Sequence, residues 1–157
     1  MMPDESATQP PNLCWPAGGE IDILEMWGGM MKSQVTSTFH WTPSGGKAPS
    51  QCGDAYDQSR GHIGVYPDVA HGAAPIDFSA DFHDFALEWN SSSLSFFVDD
   101  VHIGTATSPQ ILVPQTPFYF IFNTAICGGS WCYDPSTPLP TNTVYFYIDS
   151  VKAYKRA

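Results

Sequence analysis

Residues 20–27 read EIDILEMW, a short run in which acidic side chains interrupt apolar ones. Side chains alternate between the two faces of a β-strand. Glu20 and Asp22 therefore share one face, while Ile21 and Ile23 occupy the other face and can enter a hydrophobic core. This stretch predicts a strand that forms part of one wall of a core and carries carboxylates on its outer side.

The third carboxylate of the run, Glu25, requires a local irregularity. It lies five positions after Glu20, so strict alternation would send it to the apolar face. A β-bulge near Ile23 or Leu24 adds one residue and returns Glu25 to the face of Glu20 and Asp22. The bulged step then spans about 13 Å of strand, and two side chains that lean together leave about 5 to 6 Å between their carboxyl groups.

Paired carboxylates at this spacing suit one reaction in particular. A retaining glycosidase uses two carboxyl groups about 5 to 5.5 Å apart, one that attacks the anomeric carbon and one that protonates the leaving oxygen. Three carboxylates on one face repel one another, so we expect at least one raised pKa and a hydrogen bond from Asp22 that orients Glu20. The spacing alone leaves two other interpretations open, a solvent-facing amphipathic strand and a site for a divalent metal ion.

The composition narrows the classes of partner. The 157-residue chain has 16 acidic and six basic residues, a net charge of −10, and neither lysine nor arginine over residues 61–151. Binding to nucleic acid or to an anionic membrane surface needs clustered basic side chains. We therefore expect a neutral or cationic partner, with no nucleic acid and no membrane. The hydrophobic content of 43% and aromatic content of 14% indicate a folded globular chain.

Short runs rich in β-branched and aromatic residues, bounded by Gly, Pro and Ser, recur along the chain, and no segment has a sustained helical period. Strands are predicted over residues 20–27, 34–41, 84–90, 94–100, 118–124 and 143–154. We expect one more short strand near His62–Tyr66, within a long loop over residues 42–80, and a hairpin turn at Asn90–Ser93. The sum predicts a single all-β domain over residues 1–157, built as an antiparallel sandwich.

The four cysteines form an even set without the spacing of a metal site. Of the three pairings, we favour Cys14 with Cys52 and Cys127 with Cys132, and two disulfides indicate a secreted protein. Four reduced structural thiols remain the alternative. The first residues, MMPDESATQPPNLC, lack the basic and apolar pattern of a secretory signal.

The segment WPAGGEIDILE, residues 15–25, resembles the active-site signature of glycoside hydrolase family 16. Its Glu-x-Asp-x-x-Glu spacing is similar to that of the bulged laminarinase branch, whereas the lichenase and xyloglucan branches use a shorter, regular version. Other segments resemble the family in the same chain order. They are TSTFHW (36–41), DFHDFALEWNSSSLSFFVDD (81–100), FNTAICGGSW (122–131) and FYIDSVKAY (146–154). The resemblance covers nearly the whole chain and implies a β-jelly-roll sandwich of the concanavalin A type.

The resemblance also implies a role for individual residues. Glu20 corresponds to the nucleophile, Asp22 to its assisting carboxylate and Glu25 to the general acid/base, and no cofactor is required. Contacts to the sugar are implied for Trp15, His40, Asn123 and Trp131. Asp149 resembles a position that helps to hold a structural calcium ion, although an aspartate at such a place is more often a turn residue.

Several other aromatic and histidine side chains have structural interpretations beside functional ones. Trp89 is expected in the core, since it is flanked by strand residues. His83 is either a packing residue or a sugar ligand, and Trp27 and Trp41 are open between core and cleft. The remaining histidines are expected to be surface or structural residues. They are His62, His71 and His102.

The resemblance implies a secreted, monomeric, retaining endo-β-1,3-glucanase that acts on a neutral β-glucan such as laminarin. The alternatives are a family member that acts on mixed-linkage glucan or as a transglycosylase, and a non-catalytic β-glucan-binding recognition protein. The binding proteins lack the catalytic glutamates, which this sequence retains. The family domain has further strands before the catalytic motif, so the chain is expected to be the C-terminal portion of that domain, incomplete at its N-terminus.

Overall fold

The structure is a computed structural model of the 157-residue chain. It describes residues 1–4, 15–16, 18–26, 35–41, 61–65, 76–124, 141–143 and 145–155, with residues 61–65 described by their backbone alone. Backbone contacts divide the chain into two units, residues 1–121 and 122–157.

The regular structure of the described residues consists of β-strands in the first unit, as the sequence predicts. The strands are β1 (Met2–Pro3), β2 (Glu20–Met26), β3 (Val35–Trp41), β4 (Gly61–Val65), β5 (Phe85–Asn90), β6 (Ser93–Val98), β7 (Val101–Thr107) and β8 (Phe118–Tyr119). A search of the described residues finds no helix with the length and hydrophobicity needed to cross a membrane.

The first sheet contains the acidic run. β2, β3 and β4 pair antiparallel in that order. On the other side of β2, the backbone of Met1 makes two hydrogen bonds with the backbone of Ile21. β1 then pairs antiparallel with β8, with Met2 opposite Tyr119. β1 and β8 thus form a two-stranded sheet of their own, which the hydrogen bonds of Met1 connect to β2.

The second sheet consists of β5, β6 and β7, which pair antiparallel in chain order. The Asn90 side chain closes the turn between β5 and β6, where its Oδ1 accepts hydrogen bonds from the backbone N–H groups of Ser92 and Ser93 at 2.8 and 3.0 Å. The hairpin predicted there is confirmed. Asp99 and Asp100 form the next turn with φ of 49° and 63°, a left-handed conformation that aspartate tolerates.

The two sheets share a hydrophobic core, which makes the first unit a sandwich. The main cluster of buried side chains consists of Ile21, Phe39, Leu94, Phe96, Ala106 and Ile111. A second cluster joins Val35, Phe78 and Val98. The residues of β2 and β3 that enter these clusters alternate with polar residues. One face of the first sheet therefore packs in the core, and the other face carries polar side chains.

Two tryptophan side chains and one histidine side chain for which the sequence suggests a structural role pack in the sandwich. Trp89 contacts the main cluster and donates its indole N–H to the Pro114 carbonyl at 3.0 Å, so the predicted core position is confirmed. Trp41 stacks on Phe39 with ring centroids 5.4 Å apart. The His83 ring bonds to Asp99 at 2.7 Å and lies edge-on to the Phe78 ring, which is a packing role.

Two of the predicted strands differ from the structure. The strand predicted over 118–124 is limited to Phe118–Tyr119, because its partner β1 offers only two residues, one of which is Pro3 without an N–H group. The strand predicted over 143–154 is wrong for its described residues, which form no strand. High β-propensity is insufficient there, because a strand also needs a neighbour that completes its hydrogen bonds.

Candidate active site

The bulge that the sequence predicts lies in β2. Asp22 pairs with Thr38 and Glu25 pairs with Thr36, so the two residues between Asp22 and Glu25 oppose the single residue Ser37. Two residues against one is the defining arrangement of a β-bulge. The position of the bulge, at the middle of the acidic run, is as predicted.

The bulge sorts the side chains of β2 by polarity. Ile23 packs against the main core cluster and Leu24 packs against the second cluster, so both consecutive residues face the core. Glu25 consequently emerges on the polar face together with Glu20 and Asp22. The predicted sharing of one face by the three carboxylates is confirmed.

Two buried threonine hydroxyls of β3 hold Glu25. Thr38 Oγ1 donates to Glu25 Oε2 at 3.1 Å, and Thr36 Oγ1 lies 3.4 Å from the same oxygen. The threonines are 6% and 7% exposed, so water competes little for these bonds. The sequence motifs do not single out either threonine. The signal that could have found them is alternation in TSTFHW, which places Thr36 and Thr38 on the face of His40.

A tight turn before β2 brings Trp15 to Glu20. The Gly19 N–H donates to the Pro16 carbonyl at 2.8 Å, and Gly19 has a φ of 86°, which favours glycine. A Cβ at this position would also lie 3.3 Å from the Phe118 ring. The indole N–H of Trp15 donates to Glu20 Oε2, while the Trp15 residue as a whole stays 39% exposed. Trp15 can therefore orient Glu20 and still offer its ring to a ligand.

His40 lies beside the carboxylates, directly opposite Glu20 in the β2–β3 pair. Its Nε2 is 3.5 Å from Asp22 Oδ2, and its ring centroid is 5.5 Å from that of Trp15. The structure thus brings together five of the residues that the sequence singles out. They are Trp15, Glu20, Asp22, Glu25 and His40.

The central carboxyl group, Asp22, has the most perturbed acidity. Burial raises its pKa from 3.8 to about 7, and the negative charges of Glu20 and Glu25 act in the same direction. A hydrogen bond with Glu20 also favours protonated Asp22, while the Met1 amino group opposes the shift. The raised pKa and the hydrogen bond to Glu20 that the sequence predicts are confirmed, and the raised pKa belongs to Asp22.

The same side chains include a set with metal-ligand chemistry. One ligand atom each from Glu20, Asp22 and His40 lie within 4.8 Å of one another. Carboxylate oxygen and imidazole nitrogen both bind divalent cations. A cation here would have to displace the proton that Asp22 holds near neutral pH, because a ligating carboxylate must be ionised.

The remaining predicted residues belong to the second unit or lie outside the described residues. Asn123 and Asp149 belong to the second unit, where both are exposed. Trp131 and Trp27 lie outside the described residues, as do the four cysteines and their predicted pairings.

Comparison with known families shows the family to which the chain belongs. The model of Glycosyl hydrolases family 16 matches residues 8–145, which includes the bulged strand and both sheets. The chain belongs to glycoside hydrolase family 16. Its antiparallel sandwich is the β-jelly-roll that the sequence resemblance implies.

The proteins that the chain is similar to include an enzyme and a binding protein. The chain is 38% identical to a glucan endo-1,3-beta-glucosidase from Cryptopygus antarcticus, over 79% of this chain and 43% of that protein. It is 32% identical to a beta-1,3-glucan-binding protein from Penaeus monodon, over 55% of this chain and 21% of that protein. Among solved structures, LamAcat from Zobellia galactanivorans is 31% identical with a TM-score of 0.46, over 65% of this chain and 34% of that one. The chain spans less than half the length of these curated relatives.

Proposed function

We propose that this chain carries the catalytic strand of a retaining endo-β-1,3-glucanase that hydrolyses laminarin-like glucan. The observation that supports the proposal is the bulge of β2, which sets Glu20, Asp22 and Glu25 on one face. The raised pKa of Asp22 keeps this group protonated at pH values below about 7, so a neutral hydrogen-bond donor lies between the two glutamates there. This is the pair of carboxyl groups that a double-displacement glycosidase needs.

In the first step Glu20 attacks the anomeric carbon and forms a covalent glycosyl ester. Glu25 gives its proton to the glycosidic oxygen, whose bond to the anomeric carbon breaks. Asp22 assists because its proton is shared with Glu20, which positions the nucleophile without placing a second negative charge beside it. The indole N–H of Trp15 fixes the same carboxylate from a second direction.

In the second step a water molecule attacks the anomeric carbon of the ester, and Glu25 accepts its proton. The ester bond to Glu20 breaks, and the sugar leaves with its original anomeric configuration. Glu25 must hold one position while it acts first as an acid and then as a base. The hydroxyls of Thr36 and Thr38 supply that restraint. Retention follows from the predicted separation of about 5 to 6 Å between the two glutamate carboxyl groups, which stays a prediction.

The proposed substrate is a neutral polysaccharide. The exposed ring of Trp15 can stack on the apolar face of a glucose unit, and His40 beside it can bond to hydroxyl groups. Asn123 and Trp131 are proposed to border the cleft. A net charge of −10 disfavours a sulfated glycan. The name of the Cryptopygus antarcticus relative supports the β-1,3 linkage.

The further properties of the proposed enzyme follow from the sequence. We propose that it needs no cofactor and is a secreted monomer with disulfides Cys14–Cys52 and Cys127–Cys132. The scarcity of basic residues favours neither nucleic acid nor a membrane as partner. Asp149 is the candidate ligand for a structural calcium ion, which the reaction itself does not need.

Reducing-sugar release and product analysis on laminarin, lichenan and xyloglucan test the activity. We expect laminarin to yield short oligosaccharides, and Glu20→Gln to abolish their release while laminarin still binds. Preferential cleavage of lichenan, or glycosyl transfer with xyloglucan, would favour the other family activities. Laminarin binding without cleavage by the unmodified chain would favour a binding protein, which the similarity to the Penaeus monodon protein makes worth testing.

A further inference from the structure

A buried serine lies at the point where the two strands of the catalytic pair fall out of register. Ser37 opposes both residues of the bulge and is 3% exposed. Its Oγ donates a hydrogen bond to the Ile23 carbonyl at 2.7 Å, across from β3 to β2. Ser37 occupies an odd position of β3, and its odd neighbours Val35 and Phe39 are both buried apolar residues. A polar side chain here is the exception to the apolar pattern of that face.

The Ser37 hydroxyl supplies a hydrogen-bond donor at the bulge. A bulge interrupts the ladder of backbone hydrogen bonds, and a sheltered carbonyl needs a donor in place of a ladder partner. The Ser37 side chain supplies that donor to the carbonyl of the first bulged residue, Ile23. A strand that relaxes to regular pairing shifts each later side chain to the opposite face. For β2, that shift would send Glu25 into the core.

We propose that Ser37 is a positioning residue for Glu25. Its hydroxyl locks the bulge and thereby keeps the Glu25 carboxylate against Thr38 on the face of Glu20. Ser37 acts entirely through the backbone of β2, since it lies on the core face of the sheet. The proposal rests on the proposed function, in which Glu25 is the general acid/base.

The proposal predicts a loss that depends on the leaving group. Ser37→Ala removes the donor with little change in volume, so Glu25 loses its alignment while Glu20 stays paired opposite His40. A laminari-oligosaccharide has a poor leaving group and needs the proton of Glu25, whereas a dinitrophenyl laminaribioside has a good one and does not. We expect kcat/KM to fall about 10- to 100-fold on the oligosaccharide, the effect of a catalytic group displaced by about 1 Å. On the aryl glycoside, we expect kcat/KM to change less than about 3-fold.

Companion variants separate positioning from a general loss of folded protein. Glu25→Gln should give the same dependence on leaving group in a stronger form. Ser37→Cys keeps a weak donor of similar size and should fall between the wild type and Ser37→Ala on the oligosaccharide. Ser95→Ala is the matched control. It removes a strand serine that bonds to Thr105 in the second sheet, and it should leave both substrates unaffected.

An equal loss on both substrates would overturn the proposal, because it would show a merely structural role for Ser37. An unchanged kcat/KM on the oligosaccharide would overturn it as well. If the wild-type chain cleaves neither substrate, the proposed function fails, and a crystal structure of Ser37→Ala then decides the positioning role. Retention of the 3.1 Å bond between Thr38 Oγ1 and Glu25 Oε2 in that structure refutes the role, and its loss supports the role.

Discussion

At alkaline pH, Asp22→Asn should be more stable than the wild type. This advantage should shrink as the pH falls. Asparagine keeps a side-chain donor for Glu20 but cannot ionise. In the wild type, Asp22 is protonated below its folded-state pKa of about 7 and charged above it. The charged form lies in a partly buried site, with only 16% of its side chain exposed, and it faces Glu20 and Glu25. Its ionisation therefore costs stability that the variant does not lose.

The sign and size follow from proton linkage. Because the folded-state pKa is raised above the unfolded value of 3.8, the folded state binds the Asp22 proton more tightly. The resulting stability is fully present below about pH 4 and is lost as the pH rises to about 7. A difference of about three units, at about 1.4 kcal/mol per unit, gives about 4 kcal/mol. Sharing of this energy with Glu20 and Glu25 reduces the expected benefit of Asp22→Asn to about 2 to 4 kcal/mol at pH 8.

Thermal and urea unfolding at pH 5 and pH 8 measure this benefit. At pH 8 we expect Asp22→Asn to exceed the wild type by roughly 5 to 15 °C in Tm, and at pH 5 we expect less than about half of that difference, because much of the linkage energy arises between pH 5 and pH 7. Asp100→Asn, the same change at an exposed turn, controls for the reduced net charge and should show no such dependence on pH. An identical difference in stability at both pH values would refute a raised pKa at Asp22, and so would a variant that is less stable at pH 8.

Three further predictions follow from the site and the core. Glu20→Gln should lower kcat on laminarin by roughly 10⁴-fold or more with a folded state intact by circular dichroism, because the nucleophile is lost; activity within 10-fold of the wild type would contradict the assignment. Trp15→Phe should lower kcat/KM on laminarin about 10-fold in steady-state kinetics, since phenylalanine lacks the N–H that bonds to Glu20. Trp89→Phe is the comparison, and it should lower the free energy of unfolding with little change in kcat/KM. Phe39→Ala, at a fully buried site, should destabilise the fold by about 3 to 5 kcal/mol in urea unfolding, and a loss below about 1 kcal/mol would argue against a shared core.

The acidic run shows how far alternation can predict a site. The order of polar and apolar residues places Glu20 and Asp22 on one face, and it demands a bulge if Glu25 is to join them. Both inferences are confirmed by the register of β2 against β3. The acidic run does not predict the contact that holds the bulge. That contact joins Ile23 to Ser37, which lies 14 positions after it in the chain. The contacts of Thr36 and Thr38 with Glu25 likewise join residues that lie far apart in the chain.

The strands show the opposite limit, where local pattern is insufficient. β7 is absent from the predicted strands, because Gly104 and scattered polar residues obscure its alternation. It forms through pairing with β6, a partner that its own residues do not reveal. Conversely, residues 143–154 have the composition of a strand, yet the described part forms none, and Tyr145 and Tyr147 are 68% and 69% exposed. Strand formation depends on the neighbouring strand as much as on propensity.

The sequence predicts that one of the three carboxyl groups has a raised pKa, but it does not predict that this group is Asp22. Three carboxylates on one face imply that at least one will hold its proton, whichever residue that is. The assignment to Asp22 depends on burial, which is the largest contribution to its raised pKa, and on its position between Glu20 and Glu25. Burial is a property of the sheet pair and the turn before β2, so it appears only in the folded chain.

Covalent trapping of the nucleophile tests the central claim most directly. A 2-deoxy-2-fluoro laminaribioside with a dinitrophenyl leaving group should form a glycosyl ester that hydrolyses slowly, because the fluorine destabilises the cationic transition state of both steps. Mass spectrometry of the intact chain and of its proteolytic peptides should find one added disaccharide, attached to Glu20. A label on Glu25, or rapid hydrolysis of laminarin by a chain that forms no adduct, would contradict the account.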